Sequence, residues 1–201
     1  MIVIGLTGSI GMGKSTTAKM FADEGIPVND ADANVHEIYR HEGVAALRDV
    51  FPDAVVTGVV DRQRLSWDLA AAPAKLPLLE SIIHPLVRQR EYQFLDRQRS
   101  SGADLVVLDI PLLFETGGEE RVDTVVVVTC DPQVQRERVL ARQGMTEEKL
   151  AMILSRQMPD AEKRQRADFL VDTGTGIDAA RQRVRQIIGS LRSGRMSEQH
   201  A

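Results

Sequence analysis

The stretch Val3-Ile4-Gly5-Leu6-Thr7-Gly8-Ser9-Ile10-Gly11-Met12-Gly13-Lys14-Ser15-Thr16 decides the fold. It opens as a short apolar, partly β-branched run suited to a buried strand and then breaks into a glycine loop. A helical stretch through Ala18, Met20, Phe21 and Ala22 follows, which Gly25 and Pro27 end. Gly8, four intervening residues and Gly13-Lys14-Ser15 fit the G-x-x-x-x-G-K-[ST] form of a phosphate-binding loop. Glycine at 8, 11 and 13 lets backbone N–H groups converge on phosphate oxygens with no Cβ in the way. Met12 contributes mainly its backbone. Lys14 supplies a flexible point charge to the β and γ phosphates. Ser15, in the first helical turn, can ligate Mg²⁺ while the positive end of the helix faces the phosphates, and Thr16 adds one more donor. The plain alternative is a glycine-rich turn without a ligand, and the strand before it and the helix after it argue against that.

The rest of the chain narrows the class. Its 201 residues carry a net charge of −4, and the arginines are spread along the second half with no basic tract, which argues against a general nucleic-acid binder. Cys130 is the single cysteine, which excludes an intrachain disulfide and a cysteine-rich metal site and points to a reducing, cytoplasmic setting. His36, His41 and His200 show no metal-ligand spacing. No uninterrupted apolar span is long enough to cross a membrane, and the chain enters a strand at once without a leader.

Apolar, β-branched runs recur at residues 2–6, 26–28, 105–110, 122–129 and 169–171, with helix-like sequence between them. This pattern predicts an α/β, three-layer fold, a five-stranded parallel sheet with helices on both faces and a helical insertion beside it. Joined to the phosphate loop and to the acceptor requirements and resemblance given below, the expectation is a P-loop kinase fold with an acceptor-binding insertion and a lid. Residues 1–32 and 105–193 form the expected nucleotide-binding core, and 33–104, with prolines at 52, 73, 77 and 85, the mostly helical insertion for the acceptor. The arginine-rich segment at about 135–166 is the expected lid. From 192 onward the sequence turns polar, with a flexible tail expected at 194–201. The strand ends carry Thr7, Asp30 with Asp32, Asp109, Cys130 with Asp131, and Asp172 with Thr173, the end at which open α/β sheets bind ligands.

An Asn-Lys-x-Asp guanine-reading motif is absent, which argues against a GTP switch. A kinase acting on a small hydroxyl needs an acceptor pocket, a group that orients the acceptor oxygen, and cations for the spread charge of the transition state. Asp30-Ala31-Asp32, the helical insertion and the arginine-rich segment offer all three. Arg138 and Arg142, four residues apart, fall on one face of a predicted helix, as a phosphate-facing lid requires; solvated surface charge is the competing reading. A planar guanidinium at 142 can span oxygens of two phosphates, a catalytic role, with Arg138 holding the nucleotide. Asp109 either lies near Mg²⁺ or simply terminates its strand. A kinase for another small hydroxyl or nucleotide, and an ATP-binding switch without acceptor chemistry, are the alternatives.

Four ordered motifs carry a resemblance: residues 6–16, Val28-Asn29-Asp30-Ala31-Asp32, Ile83-His84-Pro85-Leu86, and Leu108-Asp109-Ile110-Pro111-Leu112-Leu113-Phe114-Glu115. Gln135 with Arg138 and Arg142, Arg156-Gln157 and Ala167-Asp168 agree with it. On these the chain resembles the dephospho-coenzyme A kinases over nearly its whole length. The resemblance implies MgATP and dephospho-coenzyme A as substrates and transfer of the γ-phosphate to the ribose 3′-hydroxyl. It implies Asp32 as the acceptor-side carboxylate; the structural alternative for Asp32 is the N-cap of a helix starting near Ala33. It places His84, Leu112 and Leu113 at the acceptor. The chain departs from the family at Thr173, where Asn is common near the adenine, and at Met12, where the residue is often small or polar.

Overall fold

The computed structural model describes residues 1–194, so all but the first residue of the tail expected at 194–201, with His200, lies outside the described residues. The chain divides into two compact units, Met1–Asn29 with the chain from Gln98 onward, and Asp30–Arg97. In the first unit the elements are β1 (Ile2–Thr7), α1 (Lys14–Asp23), β2 (Val28–Asp30), β5 (Leu105–Asp109), β6 (Thr124–Thr129), α6 (Pro132–Leu140), α7 (Glu147–Leu154), α8 (Asp160–Gln165), β7 (Phe169–Asp172) and α9 (Ile177–Arg192). β2 continues one residue past the unit's boundary. The strands form one sheet in the order β2-β5-β1-β6-β7, and β1 runs parallel to both β5 and β6, as β7 does to β6. Hydrogen-bond register puts Leu6 beside Asp109, Thr7 beside Val127, and Thr129 beside Asp172. The loops after β1, β5, β6 and β7 therefore emerge at one end, the end the sequence marked with polar residues.

Side chains alternate across the sheet. Ile4, Leu6, Val107, Val126, Val128, Phe169 and Val171 share one core with Met20 and Phe21 of α1 and with Val184, Ile187 and Leu191 of α9. Fully burying one such side chain is worth about 1.5–3 kcal/mol, so this layer fixes where α1 and α9 lie. Gly5 belongs to the opposite face, where a Cβ would come within 3.2 Å of Leu113 and Val122. At the other end of the sheet, Asp123 accepts from Val3 N at 2.7 Å and Asp168 from Val125 N at 2.7 Å. The Ala167-Asp168 motif thus ties the start of β7 to β6.

The second unit holds α2 (Ala31–Ile38), α3 (Gly43–Val50), the short strands β3 (Val55–Val56) and β4 (Val59–Val60), α4 (Arg62–Ala71) and most of α5 (Leu76–Ser100). Its separate core gathers Ile38, Leu47, Phe51, Leu65, Leu79 and Ile83. Asp61 caps α4 through Gln63 N and Arg64 N at 2.9 and 3.0 Å.

Several expectations need correcting. The second strand is 28–30, not 26–28, because Gly25 and Pro27 occupy the turn out of α1. The antiparallel β3-β4 hairpin was not foreseen: Thr57 and Gly58 turn it with positive φ, and its strands are too short to show a period. The polar turn of the sequence at 192 does not mark the helix end, since Arg192 closes α9 and Ser193 N still bonds Gly189 O. No helix among the described residues is long and apolar enough to cross a membrane.

Candidate active site

The loop from Gly8 to Gly13 is held from outside, so that its N–H groups can face inward. Gly11 and Gly13 have φ of 79° and 93°, the left-handed region that favours glycine. Gly8 is required by space, because a Cβ there would stand 2.6 Å from the Val128 carbonyl oxygen. Ile10 is gripped on both sides of its α-carbon: its N–H donates to Gln157 Oε1 at 3.1 Å, and its carbonyl accepts from Gln135 Nε2 at 2.7 Å. Across a trans peptide the carbonyl and the next N–H point in opposite directions. Anchoring the Ile10 carbonyl to α6 therefore turns Gly11 N–H away from α6. The sequence singled out Gln135 and Gln157 only as agreeing positions; their role as supports of the loop comes from the structure. A glutamine that is 7% exposed, as Gln135 is, needs a buried partner.

Lys14 is the first residue of α1, and its ammonium bonds the Asp109 carboxylate, with side chains 14% and 3% exposed. The strand-end acid and the loop lysine thus meet at the sheet's carboxyl end, each compensating a charge that would be costly alone. Ser15 and Thr16 follow in the first turn and are exposed. Met12 is 1% exposed, and its own N–H turns back within the loop to the Ser9 carbonyl at 3.2 Å.

Beside the loop lies a cavity of about 330 Å³, within the range of small-molecule pockets. Gly11, Gly13 and Thr16 line it on one side and Arg138, Arg142 and Thr173 on another; Met20, Ile177 and Ala180 give it an apolar wall. The two arginines do meet here, but not on one helical face. α6 ends at Leu140, and Arg142 lies in the following turn, where its N–H bonds the Val139 carbonyl at 3.0 Å. Arg138 donates to both oxygens of Thr173, the hydroxyl and the carbonyl, each at 2.8 Å. A site that offers fixed N–H groups, a lysine, two arginines and an apolar wall suits a polyphosphate carrying a flat base.

The remaining candidates are distributed differently. Leu113 is fully buried against Gly5 and Gly118 and has no surface for an acceptor, so its expected place in the pocket is corrected to the core. Leu112 is 39% exposed. Glu115 belongs to a structural pair: Lys163, with no exposed side-chain surface, stands 2.8 Å from its Oε1, which also accepts from Met158 N at 2.8 Å. Burial alone would raise the Glu115 pKa, but the Lys163 ammonium and that N–H outweigh it and hold the carboxyl below the usual range. Burial pushes the Cys130 thiol up, so it is not poised as a nucleophile.

In the second unit, Asp30 and not Asp32 caps α2, accepting from Ala33 N at 3.0 Å. The capping alternative for Asp32 is overturned because the helix starts two residues earlier, which leaves its exposed carboxylate in the first turn without that task. His84 is exposed on α5, and Pro85 lies inside the helix, so His84-Pro85 is not a turn. The missing N–H costs α5 one hydrogen bond without ending it.

The dephospho-CoA kinase family model matches residues 2–179. Among curated proteins, the dephospho-CoA kinase of Agrobacterium fabrum is 60% identical over 191 residues, covering 95% of this chain and 98% of the relative. That of Rhodopseudomonas palustris is 60% identical over 188 residues, 94% of each chain. Among solved structures, one from Thermus thermophilus superposes with a TM-score of 0.82 at 37% identity, covering 94% of this chain and 96% of that one. A shikimate kinase from Bacteroides thetaiotaomicron, at 18% identity and a TM-score of 0.52 over 94% and 98% of the two chains, shares the fold alone.

Proposed function

Since the chain belongs to the dephospho-CoA kinase family, we infer from its geometry how its residues divide the work of ATP-dependent phosphorylation of dephospho-CoA. The acceptor is the ribose 3′-hydroxyl; its oxygen bonds to the γ-phosphorus as the bridging bond to the β-phosphate breaks, giving CoA and ADP. The observation that carries the assignment is that Gly11, Gly13 and Thr16, which flank Lys14 at the head of α1, line one cavity with Arg138 and Arg142.

In a loose phosphoryl transfer the protein's task is to position the groups and to stabilise charge on the equatorial oxygens. Backbone N–H groups of residues 11 and 13–16 hold the phosphates, with the Met12 N–H bracing the loop on Ser9 O, and Thr16 adds its hydroxyl. Lys14 exchanges its bond to Asp109 for the β and γ oxygens when a nucleotide enters. Arg142, on the turn after α6, bridges phosphates across the breaking bond, while Arg138 holds the nucleotide side. Asp32 orients the acceptor hydroxyl and takes its proton late, because a carboxylate is a weak base for an alcohol. Residues 135–166 act as the lid and 33–104 as the acceptor-binding insertion, with His84 and Leu112 facing acceptor rather than nucleotide.

Mg²⁺ fits the oxygen donors present. Among the described residues no group of three His, Cys, Asp or Glu could hold a metal alone, which suits an ion that keeps most of its shell as phosphate and water. Ser15 Oγ and the Asp109 carboxylate would hold it, and bound there it would neutralise charge between the β and γ phosphates. A cytoplasmic location fits the one buried thiol.

The test is ADP release from MgATP with dephospho-CoA, AMP or shikimate as acceptor, the product identified by mass. Stimulation by dephospho-CoA alone is expected. Asp32→Asn should lower turnover by about 10²- to 10⁴-fold with ATP affinity within a few-fold. Stimulation by another acceptor, or equal loss of folding and turnover in Asp32→Asn, would overturn the assignment.

A further inference from the structure

The Thr173 hydroxyl stands where three parts of the site meet. It donates its one proton to the Met12 carbonyl at 2.7 Å and accepts from Arg138 at 2.8 Å. Its own N–H closes the end of the sheet on Thr129 O at 2.9 Å. The residue is 9% exposed, and its Cγ2 and Oγ1 lie 3.1 Å from where a Cβ on Gly13 would be. One residue thus ties the loop and the arginine through its hydroxyl and the strand end through its N–H, and its side chain fills the space beside the loop glycine.

The consequence follows from peptide geometry. The peptide bonds of the described residues are trans, so fixing the Met12 carbonyl toward Thr173 turns Gly13 N–H to the opposite side. Gln135 does the same for Gly11 through the Ile10 carbonyl. A preset N–H donor needs no reorganisation when a phosphate arrives, which is how fixed dipoles lower a barrier. We propose that Thr173 is a positioning residue of this kinase: its hydroxyl aims the Gly13 N–H at the bound phosphate and holds Arg138 at the rim of the same cavity. Its effect should fall on ATP and on turnover, and not on the acceptor. This role presupposes that residues 8–15 are the phosphate loop proposed above.

Thr173→Val keeps the branched shape and removes the hydroxyl; Thr173→Ser keeps the hydroxyl and removes the methyl. In the full chain, Thr173→Val should raise the KM for ATP by about 10-fold, the size expected for one hydrogen bond to a charged group with its neighbouring dipole. The KM for dephospho-CoA should stay within twofold, and Thr173→Ser should remain within threefold of the parent on both substrates. Arg138→Ala in the Thr173→Val background should cost less than the product of the two single losses, because the hydroxyl acts partly through that guanidinium. Parent-like ATP kinetics in Thr173→Val, equal loss in Ser and Val, or equal effects on both substrates would each overturn the proposal. Lys14→Met run alongside separates the premise: if it too keeps its ATP kinetics, the phosphate-loop reading fails, and otherwise a silent Thr173→Val refutes only the role of the hydroxyl.

Discussion

Replacing Lys163 by Met tests the buried pair with Glu115, whose carboxylate holds Met158 N beside the loop-bonding Gln157. Lys163 Nζ is 2.8 Å from Glu115 Oε1, its side chain has no exposure, and Glu115 retains 16%. At that distance two unit charges attract by about 6 kcal/mol at an effective dielectric of 20, before desolvation is subtracted. Breaking such a pair from one side costs about 3–5 kcal/mol because the surviving charge is left buried. Glu115 keeps the Met158 N–H and some water contact, which places the expected loss near the lower end, about 3 kcal/mol. For a chain of this size that is a fall in Tm of about 6–12 °C, read by thermal denaturation at pH 7.

The pH dependence follows from the sign of the shift. In the parent the Glu115 pKa is lowered, so the pair's contribution is present above the unfolded value of about 4.3 and is lost as pH falls through the folded value. In Lys163→Met the ammonium no longer holds the Glu115 carboxyl down, while burial still raises it, so the folded value rises above the parent's. The variant is therefore penalised most at neutral pH, and its gap to the parent should narrow as pH falls through the variant's folded value toward the parent's. Adding Glu115→Gln should recover part of the loss at pH 7. A Tm drop under about 2 °C, or a gap that does not change with pH, would refute the reasoning.

Lys14→Met should reduce turnover by at least about 10²-fold and weaken ATP binding, measured by initial rates and calorimetry, since it removes the charge aimed at the transferred group. Hydrogen exchange over residues 135–166 should slow when both substrates are bound, as closure of the arginine-bearing lid requires; unchanged exchange would count against a lid. Glu42 is doubly bonded to Arg90 at 2.5 and 2.9 Å, a hydrogen-bonded pairing that lowers its pKa to about 2. Its stabilisation is fully present above pH about 4.3 and fades toward pH 2, so Glu42→Gln should differ from the parent at neutral pH, by under about 1 kcal/mol for so exposed a pair, and converge with it in acid.

What the sequence showed depended on how local each cause was. The phosphate loop was legible because its causes lie within eight residues: strand, positive-φ glycines and helix head follow one another along the chain. The strand order was not, because nothing local tells β1 to insert between β5 and β6. Asp30 and Asp32 show the limit at single-residue scale. Both suit an N-cap, and a helix start misplaced by two residues exchanged their tasks. Leu113 illustrates a different failure, since an apolar residue at a strand end serves a pocket wall or a core equally well, and only the packing of Gly5 and Gly118 against it decides.

Gln135, Gln157 and Thr173 were hidden for a further reason. Each acts on the loop's backbone carbonyls and amides across 125 to 161 residues of sequence. Backbone groups carry no residue identity, so the loop's own motif gives no sign of which side chains must hold it. The glycines that allow the loop its conformation also leave it free to adopt others. These outside bonds select one conformation, and they come from α6, from the turn before α8 and from the end of β7. A phosphate loop in this chain is therefore a property of the surrounding unit as much as of its motif, and substitutions far from residues 8–15 should alter nucleotide kinetics without touching the nucleotide.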